Sequence, residues 1–392
     1  MGFQVSDRWQ EMKHIDYDIG IVGGGLAGLT AAIRLKMKGY SVVLFEKNKY
    51  PFHRVCGEYI SMESRNYLVG CGIDLGALHL PVIKKLLVSA PNGNVLKTEL
   101  DPGGFGISRY TLDYLLYRQA VTIGVDIFEG GKVNDLFYKE GHYLIATNDT
   151  SCRVRLALGA FGKRSNMDVK WKRNFVLNKP GSLNNYIGIK YHINTDFPGD
   201  TIALHNFRNG YCGISRIEDN KYCLCYLTTA ANLQVSNGIK SMESQILYQN
   251  KYLKEIFVNS DFLFDQPISI SQVSFDNKEV VHNNIPLCGD ACGMITPLCG
   301  NGMSIAMHGS KIFTELADTC LGGTISLTQM LDLYKKEWKR NFARRLSTGR
   351  FVQGNFGKAW QTNLFVGLMK NMPWLTKKII RATHGVDFSE NA

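Results

Sequence analysis

Near the N-terminus, a short apolar run, a glycine-rich turn and a longer run of helical period follow one another. In the stretch YDIGIVGGGLAGLTAAIRLKMKGYSVVLFEK, this pattern predicts a buried strand at 17–22 and a helix at about 26–38 that ends at Gly39. A second strand is predicted at 41–45. The order strand, helix, strand is that of a βαβ unit, from which parallel sheets are built.

The rest of the chain divides into a region of strand-like runs and a helical end. The apolar pattern predicts a helix at 108–125 and three strands between about 132 and 162. Aromatic-rich runs between about 166 and 274, such as NYIGIKYHI and KYCLCYLTT, predict a second sheet. Helices are predicted from about 302 onwards. The sequence therefore predicts an α/β fold with a Rossmann-type domain, a mainly β second domain and a helical C-terminus.

The glycines of the first turn have the spacing of a dinucleotide-binding motif. Gly23, Gly25 and Gly28 form G-x-G-x-x-G between strand and helix, where glycine lets the chain turn and a pyrophosphate approach the backbone. Glu46 ends the second strand, where a carboxylate can accept hydrogen bonds from ribose hydroxyls. Residues beside these positions are expected in the same site, namely Leu26, Ala27 and Lys47.

Composition places the chain among globular proteins. With 392 residues, of which 45% are hydrophobic, it can bury a substantial core and form two or three structural units. No apolar run of about 18 residues occurs, and the polar first eighteen residues lack the apolar core of a secretion signal. We therefore predict a cytoplasmic protein, whose ten cysteines are reduced thiols rather than disulfides.

The positive charge is concentrated in one segment. Of the net charge of +11, residues 331–382 carry +10, because twelve Lys and Arg face only Asp332 and Glu337 there. Aromatic and aliphatic residues are interleaved with these charges at roughly helical spacing. Two interpretations remain open. The segment 331–392 is either a basic amphipathic region that rests on the inner face of a membrane, or a helical cap packed on the protein.

The stretch LCGDACGMITPLCGNGM, at 287–303, is dense in cysteine and glycine. Cys288, Cys292 and Cys299 suggest metal ligands, but a structural zinc site needs a fourth ligand, and the next histidine along the chain, His308, lies nine positions beyond Cys299. Small cysteines also suit places where the backbone approaches another group closely. We therefore predict no metal, and interpret the glycines as the functional feature.

Taken together, these motifs resemble the FAD-dependent oxidoreductases of the para-hydroxybenzoate hydroxylase-like fold, in the geranylgeranyl reductase/FixC-type branch. The resemblance covers roughly residues 15–320. It implies that the first glycine motif binds the ADP part of FAD, and that the second glycine-rich stretch closes the site around the flavin. The residues that the resemblance assigns there are Asp290, Pro297, Gly300, Asn301, Gly302 and Met303. A helix that opens at Gly302 would turn its free N–H groups toward the flavin pyrimidine edge.

The resemblance also assigns the segments between the two turns. Arg109 is expected to reach the FAD phosphates, and Val133 to lie near the adenine. The loop PFHRVCGEY carries a Cys-Gly pair, Cys56 and Gly57, that the reductases place close to the flavin, with Arg54 and Val55 before it and Glu58 after it. Glu58 would serve as a proton donor if burial raised its pKa. No catalytic residue is assigned; Arg54, Cys56 and Glu58 are the candidates.

Three features depart from the pattern of the family. Leu158 and Gly159 stand where the family has Asp-Gly, which puts any nicotinamide-linked role of that segment in doubt. The strand GYCGISRI lacks the tryptophan and proline that are common in reductases of this branch. The W-x-W-x-I-P signature of flavin halogenases is also absent.

The predicted domains follow from the motifs and the resemblance. A discontinuous FAD-binding domain comprises residues 1–80, 101–165 and 275–330, and a substrate domain comprises residues 81–100 and 166–274. Because one dinucleotide motif occurs, NAD(P)H is expected to visit the flavin transiently, unless an electron-donor protein replaces it. The aromatic and aliphatic content of the second sheet and C-terminus predicts a lipophilic small-molecule substrate.

Two chemistries fit this site. A monooxygenase would oxidise a lipophilic or polyketide-like molecule with O₂, whereas a reductase would saturate a polyprenyl double bond with a proton from a nearby acid. The missing tryptophan and proline favour the monooxygenase, which we predict, and the Cys-Gly pair favours the reductase. A non-catalytic flavin- or nucleic-acid-binding module is disfavoured, since no nucleic-acid motif appears and aromatic residues separate the basic ones.

Overall fold

The computed structural model describes residues 16–177, 185–293, 300–354 and 356–389. The predicted βαβ unit is present, with β1 (Tyr17–Val22), α1 (Leu26–Met37) and β2 (Val42–Glu46) each within one residue of the predicted bounds. β1 and β2 pair in parallel, with Ile19 opposite Val42. Both strands are buried nearly throughout, which explains why their sequences are continuous apolar runs.

A six-stranded sheet carries this unit, in the order β6-β2-β1-β9-β8-β7. Its further strands are β6 (Asp126–Glu129), β7 (Asp135–Lys139), β8 (His142–Ala146) and β9 (Ser151–Gly159). The three strands predicted between 132 and 162 are β7, β8 and β9, but the last of them also pairs in parallel with β1. β9 is therefore an inner strand of the Rossmann-type sheet.

A nine-stranded sheet forms the second layer, in the order β14-β10-β13-β12-β11-β4-β5-β3, and β15 pairs with β10. Its strands are β3 (Tyr59–Ser61), β4 (Val82–Ser89), β5 (Val95–Gly106), β10 (Tyr186–Asn194), β11 (Thr201–Phe207), β12 (Gly210–Arg216), β13 (Tyr222–Thr229), β14 (Asp261–Phe262) and β15 (Ile268–Val273). β16 (Val281–His282) and β17 (Ile285–Pro286) form a separate hairpin. The domain limit predicted at residue 100 falls inside β5, and the sheet continues to residue 106.

Helices cover both sheets. Those of the first half are α2 (Arg65–Gly70), α3 (Arg109–Thr122), α4 (Asn166–Lys170) and α5 (Asn174–Leu177). The later ones are α6 (Ala230–Gln234), α7 (Ile239–Ile246), α8 (Lys251–Asn259), α9 (Gly302–Leu321), α10 (Leu327–Gly354), α11 (Ala359–Asn371) and α12 (Pro373–Thr383). Ser108 caps α3, because its hydroxyl accepts a hydrogen bond from the N–H of Thr111. The helical C-terminus predicted from the sequence thus consists of α9 to α12.

The buried side chains form separate clusters on the two faces of the nine-stranded sheet. One face packs against α7 and α8 through residues such as Tyr191 and Phe257. The other face packs against α11 through residues such as Leu204 and Val366. The C-terminal helices are therefore part of the wall behind the second sheet. Within the described ranges, none of the helices combines the length and apolarity that a membrane span requires.

Candidate active site

The first glycine turn connects β1 to α1 in the shape that a dinucleotide needs. Gly23 has φ +111°, and a Cβ there would lie 2.4 Å from the carbonyl oxygen of Ala160. A Cβ at Gly28 would lie 1.9 Å from the carbonyl oxygen of Gly23. Only glycine therefore allows α1 to pack this closely against the turn. Gly25 precedes α1, which has no side-chain cap. The N–H groups of the first helical turn, at Leu26 and Ala27, are thus available to an anion.

Two arginines lie beside this turn. A Cβ at Gly25 would be 3.6 Å from a terminal nitrogen of Arg109. Asp113 accepts hydrogen bonds from Arg109 Nε at 2.7 Å and from Arg54 Nε at 2.9 Å, which orients both guanidinium groups. The predicted position of Arg109 at the phosphates therefore fits the geometry. Arg54 lies at the first turn as well, where it also donates to Glu46 Oε2 at 3.1 Å.

Glu46 is buried at the end of β2, as the motif requires. Its Oε2 accepts a hydrogen bond from the N–H of Gly24 at 2.9 Å. Lys47 is exposed next to it. Val133 is buried in the connection between β6 and β7, and its carbonyl oxygen accepts a hydrogen bond from Asn166 Nδ2 at 3.0 Å.

The second glycine turn lies between the starts of two helices. Gly289 has φ +63°, and a Cβ there would be 3.4 Å from the Cβ atoms of Ala27 in α1 and Ala306 in α9. Asp290 follows, half-buried, and its carbonyl oxygen accepts a hydrogen bond from Lys278 Nζ at 2.9 Å. Asp290 also contributes to the electrostatic surroundings of Arg109, where its negative charge favours the charged guanidinium group.

The end of this turn leads into α9. Gly300 has φ +65°, and a Cβ there would be 2.9 Å from the ring of Tyr59. Asn301 is fully buried, and its Nδ2 donates a hydrogen bond to the carbonyl oxygen of Thr383 at 2.6 Å. Gly302 begins α9, which like α1 has no side-chain cap. Predicted site residue Pro297 lies outside the described residues.

The cysteines of this turn occupy packing positions. Cys288 and Cys292 are buried, and their sulfur atoms lie 3.6 Å from the carbonyl oxygen of Ala306 and 3.2 Å from that of Gly289. Burial raises the pKa of the Cys288 thiol to about 12, so it stays protonated at neutral pH. The third cysteine, Cys299, lies outside the described residues.

The loop with the Cys-Gly pair is held through consecutive carbonyl groups, by three residues of the second sheet and by Lys163, which follows β9. The carbonyl oxygens of residues 54, 55, 56 and 57 each accept one hydrogen bond, at 3.0 to 3.3 Å. In chain order, the donors are Lys190, Lys163, Cys223 and Ser215. The Cys56 sulfur lies 3.7 Å from that of Met303 in the first turn of α9. The loop thereby joins the second sheet to the flavin end of the predicted FAD site.

Glu58 is fully buried and ionised. Its carboxylate accepts hydrogen bonds from Lys190 Nζ, from the N–H of Arg109 at 2.8 Å and from His192 Nε2 at 2.6 Å. Burial alone would raise the pKa of Glu58, but Lys190 and His192 outweigh it and lower the pKa to about 2. The condition for Glu58 to donate a proton, a pKa raised by burial, is therefore not met, because its environment stabilises the carboxylate instead of the acid.

A group of possible metal ligands includes this carboxylate. Ligand atoms of Glu58, His192 and Cys223 lie within 4.8 Å of one another. Lys190, however, already places its ammonium group on the same carboxylate. A metal cation there would have to share the carboxylate with a buried positive charge, so the arrangement favours an ion pair over a metal site.

Gly300 and Tyr59 belong to the lining of an apolar pocket. Strands β4, β5 and β11 form one wall, with residues such as Leu86, Leu100 and Leu204, and helices α10, α11 and α12 form the other. Its empty volume, counting space open to solvent, is about 820 Å³. Tyr59 lies at the edge that borders Gly300. The pocket therefore extends from the second glycine turn to the C-terminal helices.

Several residues of this site are absent from the sequence-based set. Lys163, Lys190, Ser215 and Cys223 hold the loop, and Lys278 holds the carbonyl of Asp290. The sequence did contain a signal for Lys190 and His192. They are polar residues two positions apart, on one face of an otherwise apolar strand, and could have been selected as candidates for that reason. For Tyr59, no pattern pointed to the pocket.

The described residues fit FAD. Two uncapped helix starts, α1 and α9, are brought together by Gly289, and positive side chains lie beside the first of them. The Asn301 Oδ1 atom is buried without a hydrogen-bond partner among the described residues, next to the start of α9. Anions and electron-rich carbonyls bind at such helix starts, as the diphosphate and the flavin pyrimidine require.

Comparison with known proteins agrees with this geometry. The family model described as NAD(P)-binding Rossmann-like domain matches residues 21–77. Digeranylgeranylglycerophospholipid reductase 1 of Methanococcoides burtonii is 24% identical over 364 residues, covering 87% of this chain and 84% of the relative. A triple mutant of the flavin-dependent brominase Bmp2 has a TM-score of 0.77 at 19% identity and covers 95% of both chains. Halogenase PltM, solved in complex with phloroglucinol and FAD, has a TM-score of 0.72 at 13% identity, covering 93% of this chain and 84% of that one.

The two glycine turns, the Rossmann-type sheet and these likenesses define an FAD-dependent oxidoreductase of the para-hydroxybenzoate hydroxylase-like fold. Within that class, the chain is similar in sequence to geranylgeranyl reductases, as the resemblance of its sequence predicts. It is thus an enzyme, and the alternative of a non-catalytic binding module is set aside.

Proposed function

We propose that this enzyme carries out a monooxygenase-type oxidation of a lipophilic small molecule, with electrons from NAD(P)H. The observation that carries the proposal is the apolar pocket that borders Gly300 at the second glycine turn. A cavity of this kind suits a water-insoluble molecule, since apolar walls bind it by excluding water. Bound FAD supplies the redox chemistry, and the chain holds the substrate, excludes water and orients the cofactor.

The protonation states of Glu58 and Tyr59 favour oxidation over reduction. Saturating an isolated double bond requires an acid that gives a proton to carbon. Glu58 is ionised, and burial raises the pKa of Tyr59, the phenol at the edge of the pocket. Neither group is a good acid at neutral pH. Among the described residues that line the pocket, carboxylic acids and thiols are absent.

Geranylgeranyl reductase-like saturation is the second candidate. The position of Cys56, with its sulfur 3.7 Å from that of Met303, supports it, because the reductases carry a Cys-Gly pair close to the flavin. Relatives with names such as digeranylgeranylglycerophospholipid reductase also support a polyprenyl lipid as substrate. This chemistry would need a proton donor other than Glu58.

Electrons would reach the flavin from outside the Rossmann-type domain. The six-stranded sheet of the described residues offers one glycine-rich helix start of the dinucleotide type, and FAD requires it. NAD(P)H is therefore expected to bind transiently at the open side of the flavin. An electron-donor protein is the alternative source.

The outer surface of the C-terminal helices supports contact with a membrane. Five large apolar side chains there are between 48% and 68% exposed: Phe351, Trp360, Leu364, Leu368 and Trp374. Three of them follow one face of α11 at intervals of four residues, whereas the opposite face packs toward the pocket. Exposed Lys370, Lys377 and Lys378 lie beside them and would attract anionic lipid. A lipophilic substrate could then enter without crossing water.

Product analysis with labelled oxygen tests the oxidation. The purified, FAD-loaded protein receives NADPH under ¹⁸O₂, with a long-chain alkylphenol in one reaction and geranylgeranyl diphosphate in another. Monooxygenation gives a product that contains one ¹⁸O atom, and saturation gives a product that contains two additional hydrogen atoms and no label. Leu204→Trp, which fills the pocket, should abolish turnover without loss of FAD. Leu364→Trp, on the outer face of α11, is the matched control and should retain both turnover and FAD. Unlabelled, hydrogenated product would refute the proposal in favour of the reductase.

A further inference from the structure

Two residues that line the apolar pocket each have a buried polar atom that the described residues leave without a partner. Tyr59 is only 3% exposed, and its hydroxyl group has no hydrogen-bond partner among them. The Nε2 atom of His384 is buried and equally without a partner in the described part of the chain. Both residues line the same pocket. An unpaired buried polar group costs about 1–3 kcal/mol, so two in one cavity indicate that a ligand supplies the partners.

The neighbours of these atoms determine what each one can do. His384 Nδ1 lies 2.9 Å from the carbonyl oxygen of Ile380, which can only accept, so the ring proton is on Nδ1. The free Nε2 atom is then an acceptor. Burial lowers the pKa of His384, which keeps the ring neutral. The phenol of Tyr59 is the complementary donor. Thr376 and Thr383 also line the pocket, but their hydroxyl groups already donate to backbone carbonyls.

A hydroxyl group has the hydrogen-bonding capacity that the two atoms require together. It accepts a hydrogen bond from Tyr59 and donates one to His384 Nε2, whereas a ketone or ether could only accept. Lys and Arg are absent from the described lining, so a phosphate or carboxylate would have no counter-charge inside the pocket. The remaining lining is mostly aliphatic and aromatic.

The hydroxyl-binding end lies beside the second glycine turn. The ring of Tyr59 packs on Gly300, where a Cβ would be 2.9 Å away. The residue before His384, Thr383, accepts hydrogen bonds at its carbonyl oxygen from Asn301 Nδ2 at 2.6 Å and from Arg345 Nε at 3.1 Å. Both polar atoms are therefore anchored to the start of α9, the helix that the FAD site uses.

We propose that Tyr59 and His384 bind the hydroxyl group of a neutral, otherwise apolar substrate, and that they select an alcohol or phenol over the corresponding hydrocarbon. This inference rests on the proposed function, because it takes the apolar pocket as the substrate site. It narrows the substrate class to hydroxylated lipophiles whose polar end lies toward the flavin turn.

The test compares two ligands that differ by one hydroxyl group, 4-nonylphenol and nonylbenzene. Dissociation constants are measured by calorimetry with the FAD-loaded, full-length protein. The wild type should bind the phenol about tenfold more tightly, as expected for a pair of buried hydrogen bonds. Tyr59→Phe and His384→Leu should each reduce this preference to about threefold or less while nonylbenzene affinity stays the same. Tyr143→Phe is the control, because its hydroxyl group donates to the carbonyl of Asn284 outside the pocket.

The possible failures are distinguishable. If the wild type binds both ligands with equal affinity, the pocket holds lipophiles but the hydroxyl selection is wrong. If Tyr143→Phe loses the preference as strongly as Tyr59→Phe does, the selection does not come from the pocket pair. If a folded, FAD-loaded wild type binds neither ligand, both this inference and the proposed substrate pocket are refuted.

Discussion

Replacing Glu58 with glutamine should destabilise the protein by about 3 kcal/mol at neutral pH. The carboxylate of Glu58 is fully buried against Lys190 and His192, and glutamine would leave the buried ammonium group of Lys190 without its counter-charge. Breaking one side of a buried ion pair costs about 3–5 kcal/mol. The pKa provides a second estimate. A decrease from 4.5 to about 2 corresponds to roughly 3 kcal/mol, at about 1.4 kcal/mol per pH unit.

The pH dependence of this loss follows from the direction of the pKa shift. Because the folded protein has the lower pKa, the carboxylate of Glu58 stabilises the fold fully above pH 4.5. Its contribution is lost as the pH falls from 4.5 toward about 2. Urea unfolding of wild type and Glu58→Gln, both saturated with FAD, should therefore show a difference of about 3 kcal/mol at pH 7 that shrinks below pH 4.5.

A double-mutant cycle separates the ion pair from simple packing. Lys190→Met alone should also destabilise strongly, because it leaves the carboxylate unpaired, but Glu58→Gln combined with Lys190→Met should cost less than the sum of the single changes. The reasoning is refuted if the wild type and Glu58→Gln differ by less than 1 kcal/mol at pH 7. It is equally refuted if their difference stays constant down to pH 3.

Further predictions concern the cofactor turn and the outer surface. Asp290→Ala should weaken FAD binding by about 1.5–3 kcal/mol, measured by flavin fluorescence titration; an unchanged dissociation constant would count against its assignment. Gly300→Ala should lower the free energy of unfolding by about 1–2 kcal/mol, because φ is +65° and the Tyr59 ring leaves no room for a methyl group; equal stability would show that the turn adapts. The protein should sediment with anionic vesicles at low salt and release at high salt, and Trp360→Ser with Leu364→Ser should abolish this; indifference to such vesicles would leave the C-terminal helices as a structural cap.

The Rossmann-type unit could be predicted to within one residue because its signals are local. β1 and β2 are buried on both faces and therefore apolar throughout, and the glycines between β1 and α1 are required by backbone geometry. The same holds for the second turn, where Gly289 and Gly300 have positive φ. These features depend on neighbours within a few residues, so local sequence patterns are enough to predict them.

The environment of Glu58 could not be predicted because its partners are distant in sequence. Lys190 follows 132 residues later, and the alternation of β10 shows only that Lys190 and His192 share one face of a strand. A polar strand face usually meets water. In this protein, the polar face of β10 meets the loop that carries Cys56 and Glu58. Lys190 and His192 therefore stabilise the carboxylate of Glu58, which is the opposite of what a catalytic acid requires.

The C-terminal helices show why charge and apolar periodicity alone left their role open. α11 is apolar on the face that packs against the second sheet, which fits the helical cap, and also on the face that meets solvent, for which membrane contact stays a prediction. The inner side helps to enclose the pocket, and the carbonyl of Thr383 at the end of α12 is hydrogen-bonded to Asn301 at the start of α9. Any displacement of α12 by a membrane or a substrate would therefore be transmitted to the turn that holds the flavin. The second glycine turn is thus hydrogen-bonded to the helices that enclose the proposed substrate pocket.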